Sequence, residues 1–165
     1  MLKLSQLTYD TYKSEVDYYT PLTIECSSYF PYMQRNYFRL VSDNSLLEIG
    51  INRDSNQLMN IILVQVSNAI LVDDISVKQV QDKEGIPIFS DNTTFTNGLY
   101  DMKQPFDVFL SKKVLKIQLF NDEEASYLSN GRVKLGFSQD KTLVNILLVG
   151  LTYEDYEVLK DCFKL

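Results

Sequence analysis

The strongest constraint in this chain is a pattern that occurs twice. Ile49-Gly50-Ile51 is followed by a polar loop and then by Leu58-Met59-Asn60-Ile61-Ile62-Leu63-Val64. Leu135-Gly136-Phe137 is followed by a polar loop and then by Leu143-Val144-Asn145-Ile146-Leu147-Leu148-Val149. The two copies differ by a single residue between glycine and asparagine. Their loops, 52–57 and 138–142, are rich in Asn, Asp and Ser, whose side chains hydrogen-bond the backbone in turns. Apolar, β-prone runs flank both loops, so each copy is predicted to be a β-hairpin. A strand is expected before each, at 37–41 and at 114–120; the second is apolar enough to be buried on both faces. The unit is then a three-stranded meander, present at about 37–66 and again at about 113–151. Two copies are too few for a solenoid. They suit one sheet, or two sheets packed face to face.

A helix is expected at each end. Thr8 offers an N-cap, with Leu7 and Tyr12 placed as a hydrophobic staple. Tyr9, Tyr12, Val16 and Tyr19 follow at helical spacing, and Thr20-Pro21 stops the run. The C-terminal segment repeats the device with Leu151, Thr152 and Tyr156. Asp155 lies in the first turn and Lys160 and Lys164 near the end, as the helix dipole favours. Tyr153, Tyr156, Leu159 and Phe163 are expected to face the sheet. Between the hairpins, strands are expected at 69–72 and 75–80, then irregular chain over 81–105 with one short strand near 86–89. The predicted fold class is α+β: an antiparallel β-sheet built from a duplicated three-stranded meander, with an N-terminal and a C-terminal helix packed on it. The 165 residues make one domain, large enough to bury a real core.

Several chemistries are excluded by residue type. The chain has no histidine, which removes Ser-His-Asp and Cys-His catalysis and the commonest metal ligand. Cys26 and Cys162 cannot alone make a thiolate zinc site, and they are expected to be reduced. No glycine-rich phosphate loop is present. No cofactor is expected. Net charge is −6, from 16 basic and 22 acidic residues, without a basic run, so no nucleic-acid partner is expected. The N-terminus has no apolar run that would make a signal peptide, and no stretch approaches the ~20 residues of a membrane span. The expectation is a cytoplasmic protein without a membrane partner.

Two groups of residues are candidates for contact with a partner. Seven of the eleven tyrosines fall between Tyr9 and Tyr37. Tyr29-Phe30-Pro31-Tyr32 lies in a predicted loop, where large rings with polar tips suit an interface. Asp122, Glu123 and Glu124 form an acidic loop that serves either as solvated surface or as a contact site.

Leu135-Gly136-Phe137, Leu143-Val144-Asn145-Ile146-Leu147 and Leu151-Thr152-Tyr153-Glu154-Asp155-Tyr156 together resemble small acidic cytosolic immunity-type proteins of Gram-positive polymorphic toxin systems. The resemblance covers roughly the last 35 residues. It implies kinship of fold; the function expected is a non-enzymatic protein-binding protein, most concretely one that neutralises a toxin by covering its active site. The partner would be a basic toxin domain, steered by the acidic loop and held by Tyr29, Phe30 and Tyr32. Two alternatives stay open. One is a structural or homo-oligomeric accessory protein whose sheet edges pair with a second copy. The other is a carboxylate-dependent hydrolase, which needs acids from separate strands converging in a pocket.

Overall fold

The computed structural model describes residues 1–165 with the exception of Phe30. Fifteen strands and one helix are present among the described residues. In chain order they are β1 (Leu4–Thr8), β2 (Tyr12–Glu15), β3 (Leu22–Cys26), β4 (Arg35–Ser42), β5 (Ser45–Asn52), β6 (Leu58–Gln65), β7 (Ala69–Leu71) and β8 (Gln81–Glu84). There follow β9 (Ile86–Phe89), β10 (Leu99–Lys103), β11 (Asp107–Leu110), β12 (Val114–Gln118), β13 (Ser126–Asn130), β14 (Val133–Phe137), β15 (Leu143–Val149) and α1 (Tyr153–Phe163). The first sheet has the order β10-β4-β5-β6-β3-β2, the second β7-β11-β12-β15-β14-β13-β8, and β1 pairs with β9 as a separate ribbon.

The two sheets follow one plan. Each begins at an edge strand lying parallel to its neighbour, β10 on β4 in one and β8 on β13 in the other. Each continues through three antiparallel strands joined by hairpins, β4-β5-β6 and β13-β14-β15. Beside the third lies the strand that precedes all three in sequence, β3 beside β6 and β12 beside β15. This is a Greek-key connection, made twice. Next comes one more antiparallel strand, β2 or β11.

Alternation along these strands gives each sheet one apolar face. Ile24, Ile61, Ile49 and Phe38 lie in register across the first sheet, and Val108, Ile117, Ile146 and Leu135 across the second. All eight are buried in one continuous cluster, so the two sheets share a core. Leu159 and Phe163 of α1 join it.

The repeated Gly and Asn occupy equivalent positions on the opposite, outer faces. Gly50 lies across from Asn60 and Gly136 from Asn145, and each strand slips register by a bulge directly after the glycine. A Cβ on either glycine would overlap the asparagine side chain opposite. Close approach is a reason for glycine within a strand. A tyrosine flanks each glycine on its other side, Tyr37 by Gly50 and Tyr127 by Gly136.

The structure corrects the α+β expectation. The protein is mostly β, with 51% strand and 7% helix, and among the described residues only α1 is helical. The segment read as an N-terminal helix, from its expected cap at Thr8 to Tyr19, instead begins at the end of β1 and contains β2. Its tyrosines sit at helical spacing, but Tyr9 and Tyr19 are 81% and 87% exposed and bury no stripe. Tyr and Thr are good strand formers, and pairing β2 with β3 satisfies backbone that a short isolated helix would leave marginal. At the other end, α1 has the expected Thr152 cap, with a complete capping box through Asp155. Tyr153, expected to face the sheet, is exposed. The strand that leads into β14 is β13, not 114–120; β12 lies on the far side of β15. Residues 75–80 are not a strand. They lie over the outer face of the second sheet, where Ile75, Val77 and Val80, together with Val149, pack against Val114, Tyr127 and Leu147. No helix among the described residues is long and apolar enough to cross a membrane.

Gly136→Ala is expected to cost about 1–3 kcal/mol, because a displaced Asn145 amide loses a buried hydrogen bond. Adding Asn145→Ala should recover part of that loss. Urea denaturation of the double-mutant cycle should show a coupling of about 1 kcal/mol. Strictly additive costs would show that the close approach is not what requires glycine.

Candidate partner-binding surface

Below β3 the chain turns tightly, with the Tyr29 amide donating to the Cys26 carbonyl at 2.9 Å. The Asp10 carboxylate pins this turn by accepting hydrogen bonds from the Ser27 and Ser28 hydroxyls. Burial opposes ionisation of Asp10, but the two serines and the Thr11 amide outweigh it and hold the carboxyl below its ordinary range. Tyr29 is half-buried and packs against the core. The guanidinium carbon of Arg35 stands 4.5 Å from the centre of the Tyr29 ring and 5.5 Å from that of Tyr37. Tyr32, three residues further along the loop, is 93% exposed. Phe30 lies outside the described residues.

Arg53 enters the same region from the β5–β6 loop. Its Nη2 donates to the Arg35 carbonyl at 3.4 Å, and its Nε donates to Oδ1 of Asn36 at 3.3 Å. It lines an open groove of about 550 Å³ with Asn36, Thr93, Phe95, Asn97 and Gly98; Asp91 also borders it. A Cβ at Gly98, whose φ is 76°, would stand 3.0 Å from Nη2 of Arg53. The four arginines divide cleanly. Arg39 pairs with Asp101 at 2.7 Å and Glu48 at 3.6 Å, and Arg132 pairs with Asp155 at 2.7 Å. Arg35 and Arg53 have no ion-pair partner among the described residues; they contact rings, amides and carbonyls, and Asp91 borders the groove of Arg53 without pairing with it. A guanidinium stacked on a ring keeps its N–H edge available for a carboxylate.

The acidic loop is differently employed. Glu124 accepts from the Tyr127 hydroxyl at 3.0 Å and from Nδ2 of Asn145 at 3.2 Å. Burial, then the Glu124 hydrogen bond, pushes the Tyr127 phenol well up. Glu123 pairs with Lys78 of the 72–80 segment at 3.0 Å. Asp122 is exposed. Two of the three acids thus tie down the Asn145 row and the segment above it. The Tyr29 loop connects β3 to β4 and the acidic loop connects β12 to β13, which are equivalent connections in the two sheets. They do not form one patch: Asp10, which holds the Tyr29 turn, also contacts Asn130 at one end of β13, while Glu124 enters β13 at the other.

Arg35 and Arg53 went unnoticed in the sequence. Arginine beside a tyrosine-rich stretch was an available signal. Their proximity, however, depends on the β4–β5 register, which pairs Arg35 with Asn52. Elsewhere, burial pushes the Cys26 thiol up to about 12, so it is protonated and unreactive at neutral pH. No three Cys, Asp or Glu side chains among the described residues converge as a metal site. No protein-family model matches the chain, and no curated protein matches it.

Glu124→Ala should cost about 1–3 kcal/mol, because it leaves the Asn145 amide and the Tyr127 hydroxyl without their acceptor. Asp122→Ala should change stability by less than about 0.5 kcal/mol. Thermal melts distinguish the two, and equal effects would contradict these assignments. Acid dependence follows from the carboxylates. The Arg39 hydrogen bond lowers Asp101, and hydrogen bonds from Lys134 and Arg132 overcome burial to lower Asp82 and Asp155. With Asp10 these groups bind protons more weakly folded than unfolded. Their contribution is therefore fully present above the unfolded carboxyl value of about 4 and is lost as pH falls through the folded values. Melting temperature should be level from pH 7 to about pH 5 and fall steeply below about pH 4.

Proposed function

We propose that this chain is a non-enzymatic protein that binds another protein, using the end of the first sheet that carries Tyr29, Arg35 and Arg53 together with the exposed Tyr32 of the same loop. One observation carries the proposal: on a chain of net charge −6, two arginines without an ion-pair partner among the described residues lie at this end, Arg35 over the Tyr29 ring, and Tyr32, three residues before Arg35 in the chain, is 93% exposed. Arg and Tyr are the residues that most often dominate interface energetics, where a pocket or ring desolvates them. A carboxylate-bearing loop of the partner would satisfy the guanidiniums, and Tyr32 would pack against it. The net negative charge suits long-range steering of a partner that is basic overall. Toxin neutralisation by covering an active site is the most concrete form of this proposal. It is supported by that charge and by the interface-type residues.

The test compares matched baits. Wild-type protein and the Arg35→Glu/Arg53→Glu variant, shown to melt alike, are used to retain proteins from the source cells. A stoichiometric protein held by the wild type and lost by the variant supports the proposal. Equal retention by both, or no protein with either, counts against this surface.

The homo-oligomeric reading is favoured by a different feature. β7 is an outermost strand, and its Ile70 and Leu71 are each 46% exposed. An apolar open edge can add a strand from a second copy. Light scattering across a range of concentrations should show a dimer that Ile70→Lys abolishes. A concentration-independent monomer mass removes this reading.

A further inference from the structure

We infer that the outer face of the first sheet is a docking surface for an extended segment of a partner protein, bearing apolar β-branched residues with the spacing of Ile75, Val77 and Val80. The two sheets of this chain present equivalent outer faces. Aligning Gly50 with Gly136 and Asn60 with Asn145 places Tyr37 where Tyr127 stands, Ile62 where Leu147 stands and Val64 where Val149 stands. In the second sheet this row carries the segment 72–80. Ile75, Val77 and Val80 cover it, leaving Tyr127 2% and Leu147 1% exposed. In the first sheet the same positions are apolar but belong to neither buried cluster. Val64 is 36% exposed and Tyr37 and Ile62 are half-buried.

The equivalent face also shows what kind of occupant fits. It is a single strap lying on the sheet outside the strand pairing, anchored by apolar side chains. The charges of the first face are matched within it: Arg39 pairs with Glu48 and Asp101, and Glu25, across from Asn60, lies opposite Lys13. A second copy of this chain is a poor source, since the apolar side chains of its own strap are already packed on its second sheet. The occupant is therefore a segment of a different protein. This inference rests on the reading of the chain as a binding protein, and it adds a second contact surface beginning at Tyr37.

The test uses the intact protein and a synthetic peptide spanning residues 72–80, the one segment known to fit the equivalent face. Titrated to millimolar concentration and followed by NMR, it should produce saturable shifts at Tyr37, Ile62 and Val64. Affinity should fall at least about tenfold, or about 1.4 kcal/mol, when Ile62→Lys is introduced, or when serine replaces Ile75, Val77 and Val80 in the peptide. Arg53→Glu should leave the titration unchanged, which separates this surface from the Tyr32 end. No shift at millimolar peptide would overturn the inference. So would shifts confined to the second sheet, which would mean that the peptide merely replaces the chain's own strap.

Discussion

Each sheet of this protein has one apolar face, and neither can be stable in water unless that face is covered. The two sheets cover one another. Ile24, Ile49 and Ile61 from one and Ile117, Leu135 and Ile146 from the other lie in a single buried cluster. Burial at roughly 25 cal/mol per Å² of apolar surface is the dominant favourable term in folding. Here it is available only when both sheets are formed. The cross-ties follow from that arrangement. Arg132 of the second sheet donates to the Ser14 hydroxyl of the first and pairs with Asp155 at the start of α1, so one guanidinium joins both sheets and the helix.

The outer faces are where the sheets diverge. Both carry a tyrosine, a glycine and an asparagine in one row. The first sheet sets Glu25 across from Asn60, but among the described residues only the second has a carboxylate, Glu124, accepting a hydrogen bond from its asparagine, and only the second lays a strap over its apolar positions. Likeness of plan with difference of cover is the observation from which the functional account is built. The first sheet leaves Tyr37, Ile62 and Val64 partly open, and beside them Arg35 and Arg53 lack counter-ions among the described residues. The acidic loop, attractive as a contact site by charge alone, has two of its three acids engaged within the chain, Glu124 with Tyr127 and Asn145 of the sheet and Glu123 with Lys78 of its cover.

The hairpins were legible because their signal is local: a glycine, a turn-forming loop and an apolar run with asparagine at a fixed place. The C-terminal helix was legible for the same reason, through Thr152 and Asp155. What could not be read was non-local. β8 is wholly exposed and has no apolar alternation, so nothing in Gln81–Glu84 marks it as a strand; it exists because β13 offers an open edge. The N-terminal tyrosines gave a false helical period because a tyrosine can end in water as readily as in a core. Residues 75–80 have strand-like composition yet serve as a cover, since their apolar side chains are used against a sheet that is already paired. Of the candidate site, Tyr29 and Tyr32 were visible as loop aromatics, whereas Arg35 and Arg53 became neighbours only through strand register.

The central claim is that the two sheets stand or fall together because they share one core. Native-state hydrogen exchange of the full chain, measured against increasing denaturant, tests it most directly. The slowest amides of β6 and of β15 should exchange through the same global opening, with the same free energy and the same denaturant dependence. Exchange of the β6 amides through a lower-energy opening, while β15 remained protected, would show that the first sheet unfolds independently and would contradict the account.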